Sequence, residues 1–209
     1  MNNMKALIVF ALFTQVVHAN DCLECNEPRL GISGSIGATN FQQAYANDGQ
    51  SILGRLSLNG QYELTESLNL GLEIGVQNGN TMRLNISKPV LDMLGGEPVT
   101  VTIKPLFDTL VTLKVKPFNS LDLLGLLKGG LAYRQLQVDR NEVNNLEKID
   151  PELQTGLEYR VNENGSLFLT FQHVFGRNPN YQVNPLIETG YIEELPSQNS
   201  ILIGLSVLL

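Results

Sequence analysis

The chain has 209 residues and a formal net charge of −7, with 43% hydrophobic and 17% charged residues. That length suits one all-β domain or two small ones. The mildly acidic balance, with few basic runs, argues against nucleic acid as a partner. After residue 19 no apolar stretch approaches the ~20 residues that a membrane-spanning helix needs.

The amino-terminal segment has the composition of a secretory signal peptide. Lys5 supplies a positive start, residues 6–13 are an unbroken apolar run, and Val17-His18-Ala19 offers small residues for cleavage. The run is too short to cross a bilayer as a helix. We predict a signal peptide at 1–19, a short tail at 20–27 and one exported domain at 28–209.

Cys22 and Cys25 are the only cysteines, and both lie in the predicted tail. A zinc site would need a second cysteine pair or nearby histidines, and a thioredoxin-like site would need a βαβ unit after it. The sequence has neither set of residues. A lipoprotein site is also not expected, because Asp21 stands where such a site takes a small neutral residue. The pair is predicted to form a local disulfide or to remain as two idle thiols. No metal site and no cofactor is predicted.

From Arg29 onwards, apolar residues recur at every second position, which indicates β-strands with one apolar face. In the first strand Leu30, Ile32 and Ile36 share that face, and Ser33 and Ser35 lie opposite. We predict eight strands, at about 29–38, 51–63, 68–77, 101–116, 121–138, 149–161, 166–175 and 199–209. They average ten residues or more. Ordinary globular strands have ~5–6, and ~9–11 tilted residues cross a bilayer.

The fourth strand is irregular. Ile103 and Phe107 are assigned to its apolar side, and Lys104 and Asp108 to the other side. Pro105 cannot donate a ladder hydrogen bond, so a bulge or bend is predicted there. The connection before this strand is less polar than a disordered loop, so we expect it to pack or to hold a short helical turn.

The connections alternate in length. Four are long, at about 39–50, 78–100, 139–148 and 176–198, and those between them are short. Outer-membrane barrels follow this rule, with short periplasmic turns and long external loops. The last strand has Ile201, Ile203 and Leu205 on one face and ends without a polar tail. In such a barrel lipid covers this face, and the last strand closes the ring against the first.

Alternation alone does not say which face points inwards, because a lipocalin-like soluble barrel also alternates. The polar face mixes small residues with charges of both signs, which suits the narrow, filled interior of an eight-stranded barrel, where opposite charges can pair. The predicted lumen charges are Arg55, Glu73, Lys104, Asp108, Lys114, Lys128, Arg134, Glu152, Glu158 and Arg160. The sequence therefore predicts an all-β fold: an eight-stranded antiparallel up-and-down transmembrane β-barrel preceded by a signal peptide.

Over about residues 28–209 the chain resembles the small outer-membrane β-barrels of the OmpA, OmpX and opacity type. The best-matching residues are the hairpin Tyr62 to Gly71 and the closing strand Ser200 to Leu209. The resemblance implies a place in the outer membrane of a Gram-negative bacterium, among outer-membrane lipid and lipopolysaccharide, after insertion by the barrel-assembly machinery. It also implies a role in surface contact or envelope integrity, with a surface ligand bound through the external loops.

Some eight-stranded outer-membrane barrels modify lipid A, so catalysis must be weighed. A hydrolase would need His173 beside a serine and a carboxylate, and no His-x-Ser pair follows. Glu152 and Glu158 lie on one face of a strand, roughly 20 Å apart at ~3.3 Å per residue, which is too far for a catalytic pair. We predict no enzyme activity, and expect both acids to pair with Arg55, Lys128 or Arg134.

Two other functions stay open. The first is a narrow pore or channel for small or apolar solutes, against which the crowded, charged lumen argues. The second is a soluble periplasmic barrel that binds a lipid inside. Such a protein would be extracted by salt or carbonate, whereas an integral barrel needs detergent.

Overall fold

The computed structural model describes residues 28–42, 51–65, 67–83, 88–93, 96, 99–116, 122–139, 143–177, 181–184 and 189–209. The predicted signal peptide, and the tail with Cys22 and Cys25, lie outside the described residues. The elements are β1 (Arg29–Phe41), β2 (Ser51–Thr65), β3 (Leu68–Gln77), β4 (Asn80–Arg83), α1 (Lys88–Met93), β5 (Thr100–Ile103), β6 (Leu106–Val115), β7 (Leu123–Val138), β8 (Leu146–Arg160), β9 (Gly165–Val174), β10 (Tyr181–Asn184), β11 (Thr189–Ile192) and β12 (Gln198–Leu208).

The strands form a closed antiparallel ring. Neighbours in sequence pair in order, and β1 also pairs with β12, from Gly31 opposite Leu208 to Phe41 opposite Gln198. The short strands β4 and β5 continue β3 and β6, because β4 pairs with β5 and both β5 and β6 pair with β7. The ring is therefore an eight-stranded antiparallel barrel, and that prediction is confirmed.

The irregularity expected at Pro105 is confirmed, and it changes which side chains face inwards. β5 ends at Ile103 and β6 begins at Leu106, and both of these side chains are buried. The two residues between them shift the alternation by one position. The assignment of Ile103 to the same face as Phe107 was therefore wrong, since Ile103 points into the barrel and Phe107 is 54% exposed.

The outer surface of the barrel is apolar on all sides. Large hydrophobic side chains are exposed on each of the eight barrel strands, for example Ile32, Leu58, Ile74, Val111, Leu127, Leu157, Leu169 and Ile203. We call this surface the apolar belt. Soluble monomers rarely expose continuous apolar patches beyond a few hundred Å², whereas a transmembrane barrel presents such a belt to lipid. Among the described residues, no helix has the length and apolar character to cross a membrane.

The two ends of the barrel differ. At one end, connections of two, seven and four residues join β2 to β3, β6 to β7 and β8 to β9. At the opposite end the connections from β1 to β2, from β3 to β6 and from β9 to β12 are longer, whereas the one from β7 to β8 also has seven residues. The long-connection end is filled by an apolar cluster, which we call the apolar cap. Its buried members are Phe41, Val99, Val101, Ile103, Leu136, Val138, Val143, Ile192 and Leu195. The connection 78–100, expected to pack or to hold a helical turn, contains α1 and contributes Val99 to this cap.

Candidate functional site

Arg55 is the centre of the charged lumen. It projects inwards from β2, and its Nη1 donates to Glu73 Oε1 at 2.5 Å. Its Nε and Nη2 donate to the two carboxylate oxygens of Asp108 at 3.0 and 2.5 Å. This two-bond fork is the geometry in which arginine binds a carboxylate most strongly. Three neighbouring strands are thus joined through one guanidinium group.

Two lysines extend the network around the lumen. Lys128 on β7 donates to Glu73 Oε2 at 2.8 Å, and its Nζ lies 5.6 Å from the centre of the Phe168 ring. Lys114 Nζ on β6 lies 2.8 Å from Glu158 Oε2 on β8, so the ion pair spans the intervening strand β7. A buried ammonium group is stable only where carboxylates compensate its charge. The lumen cluster therefore consists of Arg55, Glu73, Asp108, Lys114, Lys128, Glu152 and Glu158, each at most 7% exposed.

Glu152 is the member of this cluster whose charge has no cationic partner within the described residues. Its Oε1 accepts hydrogen bonds from Gln154 Nε2 at 2.6 Å and Gln172 Nε2 at 2.7 Å. Its buried Oε2 has no hydrogen-bond partner among the described residues. The cluster holds three cationic and four acidic side chains, so full ionisation leaves one negative charge in excess. The expected pairing of Glu152 with an arginine or lysine is not found in the described part of the chain, and Glu158 pairs with Lys114 instead.

Arg134 lies apart from the lumen cluster, beneath the apolar cap. It is fully buried, and it donates to Asp150 Oδ2 from Nε at 3.0 Å and from Nη2 at 2.5 Å. Its Nη1 also donates to the carbonyl of Pro196 at 2.7 Å, and its Nη2 to that of Phe175 at 3.2 Å. One side chain on β7 therefore holds both ends of the long connection between β9 and β12.

Other polar contacts hold the same connection. Asn144 bridges to β11, because its Nδ2 donates to Ile192 O at 3.1 Å and its Oδ1 accepts from Ile192 N at 2.8 Å. Lys148 on β8 forms an ion pair with Glu194. The sequence does not predict these contacts, because Asn144 and Glu194 lie in the long connections 139–148 and 176–198, where no alternation assigns a direction to a side chain.

Two of the predicted lumen charges lie outside the cluster. Arg160 is half-buried at the short-turn end of β8, and Lys104 is half-buried at the break between β5 and β6. Neither forms an ion pair within the described ranges. Lys104 continues the phase of Thr100 and Thr102, whose neighbours Val101 and Ile103 face inwards. The structure thus places Lys104 on the outer side of the barrel, because the break at Pro105 interrupts the alternation on which its lumen assignment was based.

Within the described residues, side chains fill the lumen of the barrel. A cavity of about 10 Å³ lies between Glu73, Lys114, Lys128 and Glu158. That volume admits about one water molecule. Inward polar side chains occupy the remaining layer, including the pair Ser33 and Ser57, whose hydroxyl oxygens lie 2.5 Å apart.

His173 does not take part in a hydrolase-like arrangement in the described part of the molecule. Its Nδ1 lies 2.6 Å from the amide oxygen of Asn199, and its ring meets the Phe175 ring edge-on with centres 4.4 Å apart. An amide does not stabilise an imidazolium as a carboxylate does. Across the described ranges, no group of three or more His, Cys, Asp and Glu side chains is placed to hold a metal ion.

No family model and no curated protein matches the sequence. Among solved structures, the chain is similar to the outer membrane protein OprG from Pseudomonas aeruginosa, with a TM-score of 0.52 and 9% identity over 87% of this chain and 95% of that chain. Neisserial surface protein A matches with a TM-score of 0.46 and 10% identity over 88% of this chain and 99% of that chain. Ail, the attachment invasion locus protein of Yersinia pestis, matches with a TM-score of 0.44 and 11% identity over 87% and 97%.

At 9% identity, the likeness to OprG concerns the fold and not the activity. It agrees with the closed antiparallel ring of strands. The chain has the fold of the small eight-stranded outer-membrane β-barrels.

Proposed function

We propose that the protein is a non-enzymatic integral protein of the outer membrane, in which a closed barrel anchors external connections that act in surface contact or envelope integrity. The observation that carries this proposal is the attachment of the connection between β9 and β12 to the barrel wall. Arg134 binds both ends of that connection, and Asn144 binds it at Ile192, the last residue of β11. A segment fixed in this way presents a defined surface for recognition.

The state of the lumen supports an anchoring role over a channel role. An aqueous pore needs a continuous path for water, whereas the lumen cluster and the apolar cap occupy successive layers of the interior. Purified protein in planar bilayers is therefore expected to show no stable conductance. Regular conductance steps would favour the pore alternative.

The apolar belt supports membrane integration over a soluble, lipid-binding barrel. The protein is expected to stay in membranes through salt and carbonate washes and to need detergent for release. Folded barrel should also migrate differently from boiled protein on a gel. Release by carbonate, with identical migration of both samples, would contradict the proposal.

The surface role is tested by removing the hairpin formed by β10 and β11, which we call the external hairpin. One variant replaces residues 181–190 with a short glycine-serine linker, and its matched control replaces the turn 161–164 at the opposite end. We expect the first variant to match a deletion strain in detergent sensitivity and cell adherence, and the second to match wild type. If the first variant also matches wild type in both assays, the external hairpin has no such role.

The assembly partners belong to the same proposal. Insertion by the barrel-assembly machinery, contact with lipopolysaccharide and cleavage after residue 19 follow from the resemblance and the amino-terminal pattern. Depletion of the assembly machinery should leave the mature protein in the periplasm in unfolded form. Thiol labelling of Cys22 and Cys25 before and after reduction distinguishes a disulfide from two free thiols.

A further inference from the structure

The barrel wall has a paired interruption on one side. β3 ends at Gln77 opposite Leu106, and β4 begins at Asn80 opposite Ile103. Asn78-Gly79 therefore faces Lys104-Pro105 across the gap. On the other side of the same segment, the Asn78 side chain bonds to the backbone of β2: its Oδ1 accepts from Gly54 N at 2.5 Å and its Nδ2 donates to Ile52 O at 3.3 Å.

An open groove of about 570 Å³ lies on the outer surface at this interruption. It crosses β1 and β2 and reaches the gap, and its lining includes Gly34, Ile36, Gly54, Leu56 and Pro105. Ile36 and Leu56 are 66% and 64% exposed, so the groove opens within the apolar belt. Water is excluded at that depth, and lipid tails are the material that borders the groove.

Steric crowding does not account for the two glycines in this groove. A Cβ at Gly34 would have its nearest neighbour, Leu56 Cδ2, at 3.5 Å, and a Cβ at Gly54 would have Asn78 Oδ1 at 3.6 Å. Both are ordinary van der Waals distances. By contrast, a Cβ at the inward-facing Gly130 would overlap the carbonyl oxygen of Thr109. At Gly34 and Gly54 the absence of a side chain instead leaves space open towards lipid.

A cation lies beside the groove. Lys104 precedes Pro105 on a strand that runs away from the long-connection end, so it lies on the side of the groove nearer that end. It is half-buried on the outer side of the barrel and has no ion-pair partner among the described residues. A lysine in this position extends its ammonium group to the headgroup region, where an anionic lipid is worth about 1 kcal/mol per cation.

We propose that this groove binds one acyl chain of an anionic lipid from the leaflet on the long-connection side, with Lys104 contacting the lipid phosphate. The tail gains dispersion contacts with a groove that would otherwise lack neighbouring atoms. The inference rests on the membrane placement of the barrel and not on the role of its external connections.

The test uses variants that fill the groove. Gly34→Leu and Gly54→Leu place a side chain in it, and Gly129→Leu is the matched control, because Gly129 faces outwards on β7 with no atom within 4 Å of its Cβ position. Detergent-extracted barrel is titrated with dioleoylphosphatidylglycerol and observed by native mass spectrometry. Wild type and Gly129→Leu should retain one lipid, and the two groove variants should lose it. Equal retention by Gly54→Leu and Gly129→Leu would overturn the proposal.

The headgroup contact is tested separately. Lys104→Gln should weaken phosphatidylglycerol retention about fivefold, the equivalent of about 1 kcal/mol, and leave phosphatidylcholine retention unchanged. Unchanged phosphatidylglycerol retention would overturn the role of Lys104. A gel shift between unheated and boiled samples shows that each variant is a folded barrel, so a failure of membrane integration is distinguished from a failure of lipid binding.

A measurement on unmodified protein avoids dependence on the variants. Phosphatidylglycerol spin-labelled near the tail end, in otherwise unlabelled phosphatidylcholine nanodiscs, should broaden the methyl signals of Ile36 and Leu56 more than those of Leu153 and Leu157. These two exposed residues lie on β8, on the opposite side of the barrel from the groove. Uniform broadening across the belt would contradict a bound tail. A cross-linked dimer that Gly54→Leu abolishes would assign the groove to a second copy of the chain and also overturn the proposal.

Discussion

Replacement of Arg55 by methionine should destabilise the barrel by about 3–5 kcal/mol, the cost of leaving a buried charge without its partner. The expected loss of stability is not the sum of three hydrogen-bond energies, because the two carboxylates keep different partners when Arg55 is replaced. Glu73 keeps its bond to Lys128 at 2.8 Å, whereas Asp108 keeps only a long bond from Gln77 Nε2 at 3.4 Å. The carboxylate of Asp108 is therefore left without a cation. The free-energy cost of keeping that charge buried determines how much the barrel is destabilised.

The assay is equilibrium unfolding in urea with lipid vesicles present. Because the chain has no tryptophan, the folded fraction is read from mobility on an unheated gel. Arg55→Lys keeps the charge but loses the fork, so a smaller loss of about 1.5–3 kcal/mol is expected. The double variant Arg55→Met, Asp108→Asn removes both charges of the fork and should recover at least half of the loss.

The half-exposed ion pair of Lys148 with Glu194 provides the comparison for Arg55. Lys148→Ala should cost about 1 kcal/mol or less, since solvent screens an accessible pair. If Arg55→Met costs no more than Lys148→Ala, or if neutralising Asp108 gives no recovery, the reasoning from buried charge is refuted.

Three further outcomes follow from the same contacts. Gly75→Ala should cost about 1–3 kcal/mol, because its Cβ would lie 2.6 Å from Asp108 Oδ1, whereas Gly129→Ala should be neutral in the same unfolding assay. Glu152→Gln should leave stability unchanged or raise it, because it removes the excess negative charge and keeps an oxygen that accepts two amide hydrogen bonds; a loss above about 2 kcal/mol would contradict the charge count. Arg134→Leu should speed protease cleavage of the connection between β9 and β12 on intact cells while the gel shift of the folded barrel persists, and equal cleavage rates would contradict its anchoring role.

The sequence predicts the barrel well because the two faces of each barrel strand lie in different environments. Lipid on one side and a packed interior on the other require alternation over ten or more residues, and that pattern is legible without a structure. The alternation fails where the backbone is irregular. At Pro105 two residues interrupt the ladder, so the positions of Ile103 and Lys104 relative to the wall could not be read from periodicity.

The pairing within the lumen was only partly accessible from the sequence. Periodicity assigns a side chain to the interior, but it gives neither the register between strands nor the direction in which a long inward side chain extends. The bond between Lys114 and Glu158, which spans β7, depends on both, as does the enclosure of Glu152 by Gln154 and Gln172. The apolar cap was not predicted for a different reason. Its strand residues, such as Ile103 and Leu136, do alternate but lie on the inward face, where the pattern predicts polar side chains, and its other members lie in long connections.

The ion pairs that fill the lumen limit which surfaces of the protein are available for recognition. A path through the lumen would have to separate Arg55 from its carboxylates and Lys114 from Glu158. At about 3–5 kcal/mol for each group, spontaneous opening would occupy about 10⁻⁴ of the molecules or fewer. Opening would also expose the apolar cap, which raises the cost further. The surfaces that remain available for recognition at low cost are the outer face of the fixed connection, and the groove beside Lys104, so recognition and lipid contact are expected on the outside of the barrel.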